Sequence, residues 1–427
     1  MTITSKVTLF FSALKSVEDG KNFSILHNYL FGQSDLSVPN QQVNPKLMSE
    51  NKLQFKNCNL NSSQKEAIEF ALKQKELAVI HGPPGTGKTT TVVELISQEV
   101  KQGSKVLVCA PSNVAVDNLL EKLAFNKIKV IRIGHPARVA TDLQKYSLDA
   151  ILSNSEQKLL AGDVKKDMEK TLQEMKKAKR GQRQNLGREM RTLRKELQSR
   201  EQRAMKETLS SAEVVLATLT SASNTDGPLK HLEKGHFDLA VIDECSQSLE
   251  IACWIPLVQV KKVVLAGDHF QLPPTILCEA AANKGLAYTL MERVLDLSDA
   301  SVRMLKTQYR MNEAIMKWSS VTFYGGQLEA GEAVKSRLLK DIVKECDENA
   351  GLPLVLIDTT GCEMYELVTE DEGSKANEGE AALVTLYTEQ LVSIGVDPAE
   401  IAIITPYNLQ VELIRLQLQG IVFGIYT

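Results

Sequence analysis

Gly82-Pro83-Pro84-Gly85-Thr86-Gly87-Lys88-Thr89 fits the pattern GxxxxGK[ST], and Thr90 continues it. Glycines at these places let successive backbone N–H groups close around an anion. A helix that begins there adds the positive end of its dipole. Lys88 is then placed to reach the β- and γ-phosphates of a nucleotide, and Thr89 to ligate Mg²⁺. The plain alternative is a glycine-rich turn with no ligand. Asp243-Glu244 closes the apolar run FDLAVI. A carboxylate at a strand end beside a phosphate loop suits a Mg²⁺ ligand. Asp243 takes that role, through water, and Glu244 orients and deprotonates an attacking water; the alternative is a pair of capping acids. Gln271, in Gly267-Asp268-His269-Phe270-Gln271-Leu272-Pro273-Pro274, can hydrogen-bond a γ-phosphate or that water. In Gln308-Tyr309-Arg310-Met311, Tyr309 offers a ring to stack on adenine. Arg310 is a candidate arginine finger for charge on the transferring phosphoryl group, against the alternative of a salt-bridged arginine. Together these residues describe hydrolysis of a nucleoside triphosphate, with ATP and Mg²⁺ as the bound species.

Such residues need strand ends to hold them. ELAVI (76–80), KVLVCA (105–110), VIRIG (130–134), VVLAT (214–218), LAVID (239–243) and KVVLAG (262–267) are short apolar runs. TTVVELISQEV and AVDNLLEKLAF, between them, have helical character. Apolar strands alternating with helices predict an α/β fold with a parallel sheet covered on both faces. A second α/β unit is expected to open near 300, with VRMLK, PLVLIDT (353–359), IAIITPY (401–407) and the helix LQVELIRLQL. With so few strands that unit reads as incomplete.

The stretch from about 146 to 208 differs in kind, with almost no Gly or Pro and no strand-like run. From 161 to 208 it carries fifteen Lys and Arg against eight Asp and Glu, a net of +7. The whole 427-residue chain is at −3, so the remainder holds −10 and the average hides the bias. Two readings stand: a solvated helical hairpin, or a basic hairpin beside a nucleic-acid channel. At 43% apolar and 24% charged residues, a mostly disordered chain is excluded. No run reaches the roughly 18 apolar residues a membrane helix needs, so no membrane partner is expected. The seven scattered Cys form no CxxC pair, which fits a reducing compartment, cytoplasmic and nuclear, rather than a disulfide framework.

Eight motifs occur in order: Gln64 in LNSSQKEAI, HGPPGTGKTT, APSNVAVDNL, VVLATLTSAS, VIDECSQ, AGDHFQLPPT, QYRM and ITPYNLQV. Together they resemble the superfamily 1 helicases of the Upf1-like group, over about residues 22–418. The flanking stretches RIGHPAR, ACWIPL, MKWSSVTFYGGQL and NYLFGQS look most like one member of that group. The resemblance implies a P-loop NTPase of two tandem RecA-like lobes that clamp ATP. It implies ATP-driven 5′→3′ movement on single-stranded RNA or DNA with duplex unwinding, and ribosome- or tRNA-linked partners. It makes Gln64 the adenine reader. Pro111, Ser112 and Asn113, then Thr218, Thr220 and Ser221, become first-lobe strand contacts, and Pro406, Tyr407 and Asn408 second-lobe ones. Hydroxyls and backbone amides at strand ends suit phosphates, although helix capping would explain the same residue types. The implied organisation is a stalk-like remnant and linker over 1–56 and a first lobe over 57–299, with the basic stretch as its helical insertion. A partial second lobe follows over 300–427.

Departures from the group's pattern are expected to matter. The VDGFQG-type and NVAVTRA-type segments, the second of which brings another arginine to the γ-phosphate, have no counterpart in the sequence. The tail Ile421 to Tyr426 does not match. The N-terminal β-barrel, apart from a stalk-like stretch near 10–32, and the C-terminal modules are likewise unmatched. His269-Phe270 stands where relatives commonly carry a Lys beside the Gln. The expectation is a chain that binds ATP–Mg²⁺ but turns it over poorly. The alternative is a non-unwinding nucleotide- and RNA-binding isoform with a regulatory role.

Overall fold

The computed structural model describes residues 15, 24–37, 53–154, 156–177, 179–298, 301–343, 348–367 and 374–418. The tail from 421 and most of the stalk-like stretch near 10–32 lie outside them. The chain divides into two units, Met1–Thr307 and Gln308–Thr427.

The first unit is built on one sheet. Its strands are β1 (Leu77–His81), β2 (Val106–Ala110), β3 (Val130–Ile133), β4 (Val214–Thr218), β5 (Leu239–Ile242), β6 (Lys262–Gly267) and β7 (Val302–Met304), in the order β3-β4-β2-β5-β6-β1-β7. Every pairing is parallel. Alternation splits each strand between two cores: Leu77 and Val79 face one cluster with Trp254 and Leu257, while Ala78 and Ile80 face another with Ile96 and Leu120. Burial on both faces is why these strands read as continuous apolar runs.

Four helices set the geometry of the strand ends. α1 (Ile25–Leu30) packs on this unit, with Phe31 stacked on Trp254 at 5.0 Å and His27 Nε2 3.1 Å from the Leu257 carbonyl. α2 (Ser62–Lys73) opens with a capping box in which Asn61 Oδ1 accepts from Gln64 N and Gln64 Oε1 from Asn61 N. α3 (Lys88–Lys101) begins directly after Gly87, whose φ of 77° lies in the left-handed region that glycine adopts without strain. α4 (Asn113–Phe125) is capped by Ser112, whose Oγ accepts from Ala115 N.

The basic stretch is helical: α5 (Glu156–Lys177) and the 32-residue α6 (Arg180–Ser211) pack along each other, with Lys165 and Glu201 paired between them at 3.1 Å. Val164, Met190 and Ala204 are buried while Arg188, Arg191, Arg194 and Lys195 are exposed. Beyond the hairpin, α7 (Glu250–Leu257) and α8 (Leu290–Leu297) cover the sheet, and Arg293 of α8 joins Glu250 of α7 to the carbonyl of Leu30.

The second unit departs from expectation in two ways. VRMLK does not open it: Val302–Met304 completes the first sheet as an edge strand against β1, with Val79 opposite Val302. PLVLIDT and IAIITPY form no strands, and Leu354, Leu356 and Ile404 are 71%, 89% and 92% exposed. An apolar run specifies burial, but a strand exists only with a partner for its backbone groups, and neither run has one among the described residues. What forms is a two-stranded ladder of β8 (Thr307–Gln308) and β9 (Glu329–Ala330) with helices α9 (Glu313–Phe323), α10 (Glu378–Ser393) and α11 (Asn408–Gln417). α10 and α11 share a small core of Ala381, Ile414 and Leu418.

Candidate active site

The carboxyl ends of β1, β5, β6, β2 and β4 lie on one edge of the sheet, the place where open parallel sheets bind ligands. The loop after β1 is tied to its neighbour by Gly82 N donating to the Gly267 carbonyl at 2.9 Å. Thr86 is fully buried and donates from Oγ1 to the Pro83 carbonyl, so its hydroxyl shapes the loop. Gln64 Nε2 donates to the Thr86 carbonyl at 3.0 Å. The carboxamide expected to read adenine is therefore engaged with α2's cap and with the loop. A Cβ on Gly87 would come within 2.6 Å of that nitrogen, a second reason for glycine there.

Lys88 sits between the two strand-end acids. Its Nζ is 2.6 Å from Glu244 Oε1 and 3.6 Å from Asp243 Oδ1. Burial works to lower its pKa, and the Asp243 and Glu244 carboxylates outweigh that and raise it. Burial raises the pKa of Asp243, against the pull of Lys88. Glu244 stands at φ 52°, ψ 37°, left-handed backbone that a non-glycine residue adopts at a cost of about 1–3 kcal/mol. That turn swings its side chain back toward α3. Thr89 is the second residue of α3 and partly exposed. The Thr89 hydroxyl and the Asp243 carboxylate are oxygen donors of the kind that Mg²⁺ takes. Both acids hold the ammonium group, so the two carboxylates already favour a positive charge between them.

The turn after β6 is organised by Asp268. Its Oδ2 accepts from Gln271 Nε2 at 2.8 Å, its Oδ1 lies 2.9 Å from His81 Nε2, and its own N–H donates to Ser246 Oγ. Gln271 is exposed at the edge, anchored by Asp268. Sequence reasoning passed over His81 and Asp268; the signal available was a histidine ending one strand and an aspartate following its neighbour.

The strand-contact candidates fall at the ends of β2 and β4. Thr218 Oγ1 donates to Ser221 Oγ, and Thr220 is partly exposed. Asn113 Oδ1 accepts from Arg132 Nη2 at 2.9 Å, which leaves its amide N–H₂ as the free donor. Arg132 was not singled out in the sequence, although a charge inside VIRIG was the signal. It is fully buried, pairs with Asp117 at 3.0 Å and also donates to the Ile133 carbonyl. Arg132→Met is expected to cost about 3–5 kcal/mol, because it strands a buried carboxylate. Denaturant melts check this, and a loss below 1 kcal/mol contradicts it.

In the second unit, Gln308 closes the QYRM turn on itself: its Oε1 accepts from Arg310 N and Met311 N, and its Nε2 donates to the Met311 carbonyl. Tyr309 packs its ring against Gly331 yet stays 45% exposed, and Arg310 is exposed. Pro406, Tyr407 and Asn408 are exposed at the start of α11.

Two family profiles, each described as an AAA domain, match residues 59–279 and 286–422. "DNA-binding protein SMUBP-2" of Mesocricetus auratus is 50% identical over 410 residues, 95% of this chain and 40% of that protein. "DNA polymerase alpha-associated DNA helicase A" of Saccharomyces cerevisiae is 39% identical over 385 residues, 84% of this chain and 56% of that one. The chain thus spans about half or less of the length of these relatives. A solved complex of Arterivirus nonstructural protein 10 (helicase) with DNA matches with a TM-score of 0.33 at 11% identity, covering 64% of this chain and 44% of that one. With a phosphate loop leaving β1, acids leaving β5 and a parallel sheet between them, the chain belongs to the AAA domain family, in its Upf1-like group.

Proposed function

We propose that the chain binds ATP with Mg²⁺ on its first unit, hydrolyses it, and couples hydrolysis to 5′→3′ movement on single-stranded RNA or DNA, as an ATP-dependent helicase. The observation that carries this reading is Lys88 Nζ held 2.6 Å from Glu244 and 3.6 Å from Asp243. An ammonium so placed exchanges carboxylate partners for phosphate oxygens when nucleotide enters. The backbone of Gly82 to Thr90 then wraps the phosphates, and Thr89 and Asp243 hold the metal. Bound Mg²⁺ supplies charge neutralisation across the phosphates. Glu244, released from Lys88, takes the proton of the attacking water, and Gln271 orients that water from its anchor on Asp268. Gln64, beside the loop that it bonds at Thr86, serves the adenine. The relatives' printed names, a DNA-binding protein and a DNA helicase, support nucleic acid as the partner. In this reading Pro111, Ser112, Asn113, Thr218, Thr220, Ser221, Pro406, Tyr407 and Asn408 grip the backbone. The exposed arginines of α6 add electrostatic attraction.

The test is ATPase of the full chain with and without single-stranded RNA or DNA. Stimulation by the strand is expected. Nucleotide binding with no stimulated turnover would favour the nucleotide- and RNA-binding module instead. Replacing Arg188, Arg191, Arg194 and Lys195 by Gln is expected to weaken strand binding. It should also flatten the salt dependence of the binding constant, by about 0.7 in log–log slope for each phosphate that is no longer neutralised. An unchanged slope returns the hairpin to a solvated structural role.

A further inference from the structure

Behind the phosphate loop, three side chains converge that the nucleotide chemistry leaves unused as ligands. His81 is the last residue of β1 and Asp268 follows the last residue of β6, two strands paired so that His81 stands opposite Gly267. His81 and Asp268 are 6% and 1% exposed, and His81 Nε2 lies 2.9 Å from Asp268 Oδ1. His269 follows, its ring centroid 5.0 Å from that of His81. One ligand atom from each of the three residues lies within 4.8 Å of the others. His269 Nδ1 is buried with no hydrogen-bond partner. A buried polar atom without a partner is uncommon and calls for a cause.

We propose that His81, Asp268 and His269 form a binding site for a transition-metal ion of the Zn²⁺ class, which clips the start of the phosphate loop to the turn that carries Gln271. Two imidazoles and a carboxylate form the donor set of an open, three-ligand zinc site, with the fourth position left to water. Tetrahedral zinc with bonds near 2.0–2.1 Å places its ligand atoms about 3.3 Å apart. The His81–Asp268 pair needs to open by a few tenths of an ångström, and the partly exposed His269 has room to close in. Oδ2 of Asp268 keeps its bond from Gln271, since the metal uses the other oxygen. Nitrogen donors exclude Mg²⁺, which prefers an all-oxygen octahedron. The site is therefore separate from the metal position at Thr89 and Asp243 and is filled independently of nucleotide.

The experiment titrates the full chain, its surface thiols alkylated and millimolar Mg²⁺ present, with Co²⁺ and then Zn²⁺ alone. A visible d–d absorption band at one equivalent of Co²⁺, bleached by Zn²⁺, is expected. Two variants decide the ligands. His269→Ala removes a partly exposed ring, and His81→Gln keeps a donor for Asp268 but loses the imidazole. Each is expected to weaken Co²⁺ binding at least tenfold while its metal-free unfolding midpoint confirms that it folds. If His81→Gln fails to fold, His269→Ala decides alone. Absence of the band, or a band whose affinity survives His269→Ala in folded protein, overturns the site and leaves His81 and Asp268 as a structural hydrogen-bonded pair.

Discussion

Lys88→Ala is expected to weaken ATP binding by about 10²-fold, the worth of a hydrogen-bonded charge, and to abolish measurable turnover. Its second effect falls on the nucleotide-free protein. There Lys88 is paired with both Asp243 and Glu244. Removing it leaves Asp243, 3% exposed, as a buried carboxylate without its cation. Breaking a buried pair in that way costs up to about 3–5 kcal/mol. The cost depends on pH. Burial already holds the Asp243 pKa above its ordinary 3.8, and loss of Lys88 raises it further. An acid whose pKa is higher folded than unfolded loses stability as pH rises from the unfolded value toward the folded one. The variant should therefore be nearly as stable as the parent near pH 4 and fall behind toward neutrality. Adding Asp243→Asn should restore stability at pH 7 without restoring nucleotide. Urea melts across that range and nucleotide titrations read both effects. Unchanged ATP affinity in Lys88→Ala would refute the phosphate-loop assignment.

The first sheet was legible because its strands are buried on both faces. LAVIH, VLVCA, VVLAT and KVVLAG carry the apolar runs that such strands require, and the loops after them carry the chemistry. Six of its seven strands follow from composition and punctuation alone. The seventh did not. VRM is too short to announce its partner, and only the paired geometry shows it finishing the first sheet rather than opening a second. The runs at 353–359 and 401–407 failed for the complementary reason: they carry the strand signal but find no partner among the described residues. Side-chain networks were the least legible part. Arg132, Asp117 and Asn113 come from a strand and a helix 15 to 19 residues apart, and His81 and Asp268 are 187 apart. No local pattern encodes such pairings, since each residue is ordinary until the sheet brings it to its partner.

Glu244→Gln separates binding from chemistry within the same pocket. The substitution keeps size and a hydrogen-bonding group, so the left-handed turn and the contact with Gln247 have no reason to change. Lys88, Thr89 and Asp243 remain, and with them the residues proposed to hold phosphates and metal. What disappears is the carboxylate proposed to accept a proton from water. Asp243 is buried and faces Lys88, whereas Glu244 has 29% of its side chain exposed, where water can reach it. Removing a general base costs about 10²–10⁴ in rate. The expected result is ATP affinity within a few-fold of the parent and a hydrolysis rate lower by that factor. Affinity should even rise slightly, because a neutral amide competes less with phosphate for Lys88. Equilibrium titration and single-turnover hydrolysis measure the two quantities separately. If the rate of Glu244→Gln matched the parent, proton removal would belong to another residue, and Gln271, held by Asp268 in reach of the same edge, would have no base to serve. The strain stored at φ 52° would then lack a catalytic purpose, so the kinetics of this one variant also decide why a glutamate occupies a conformation that glycine adopts more readily.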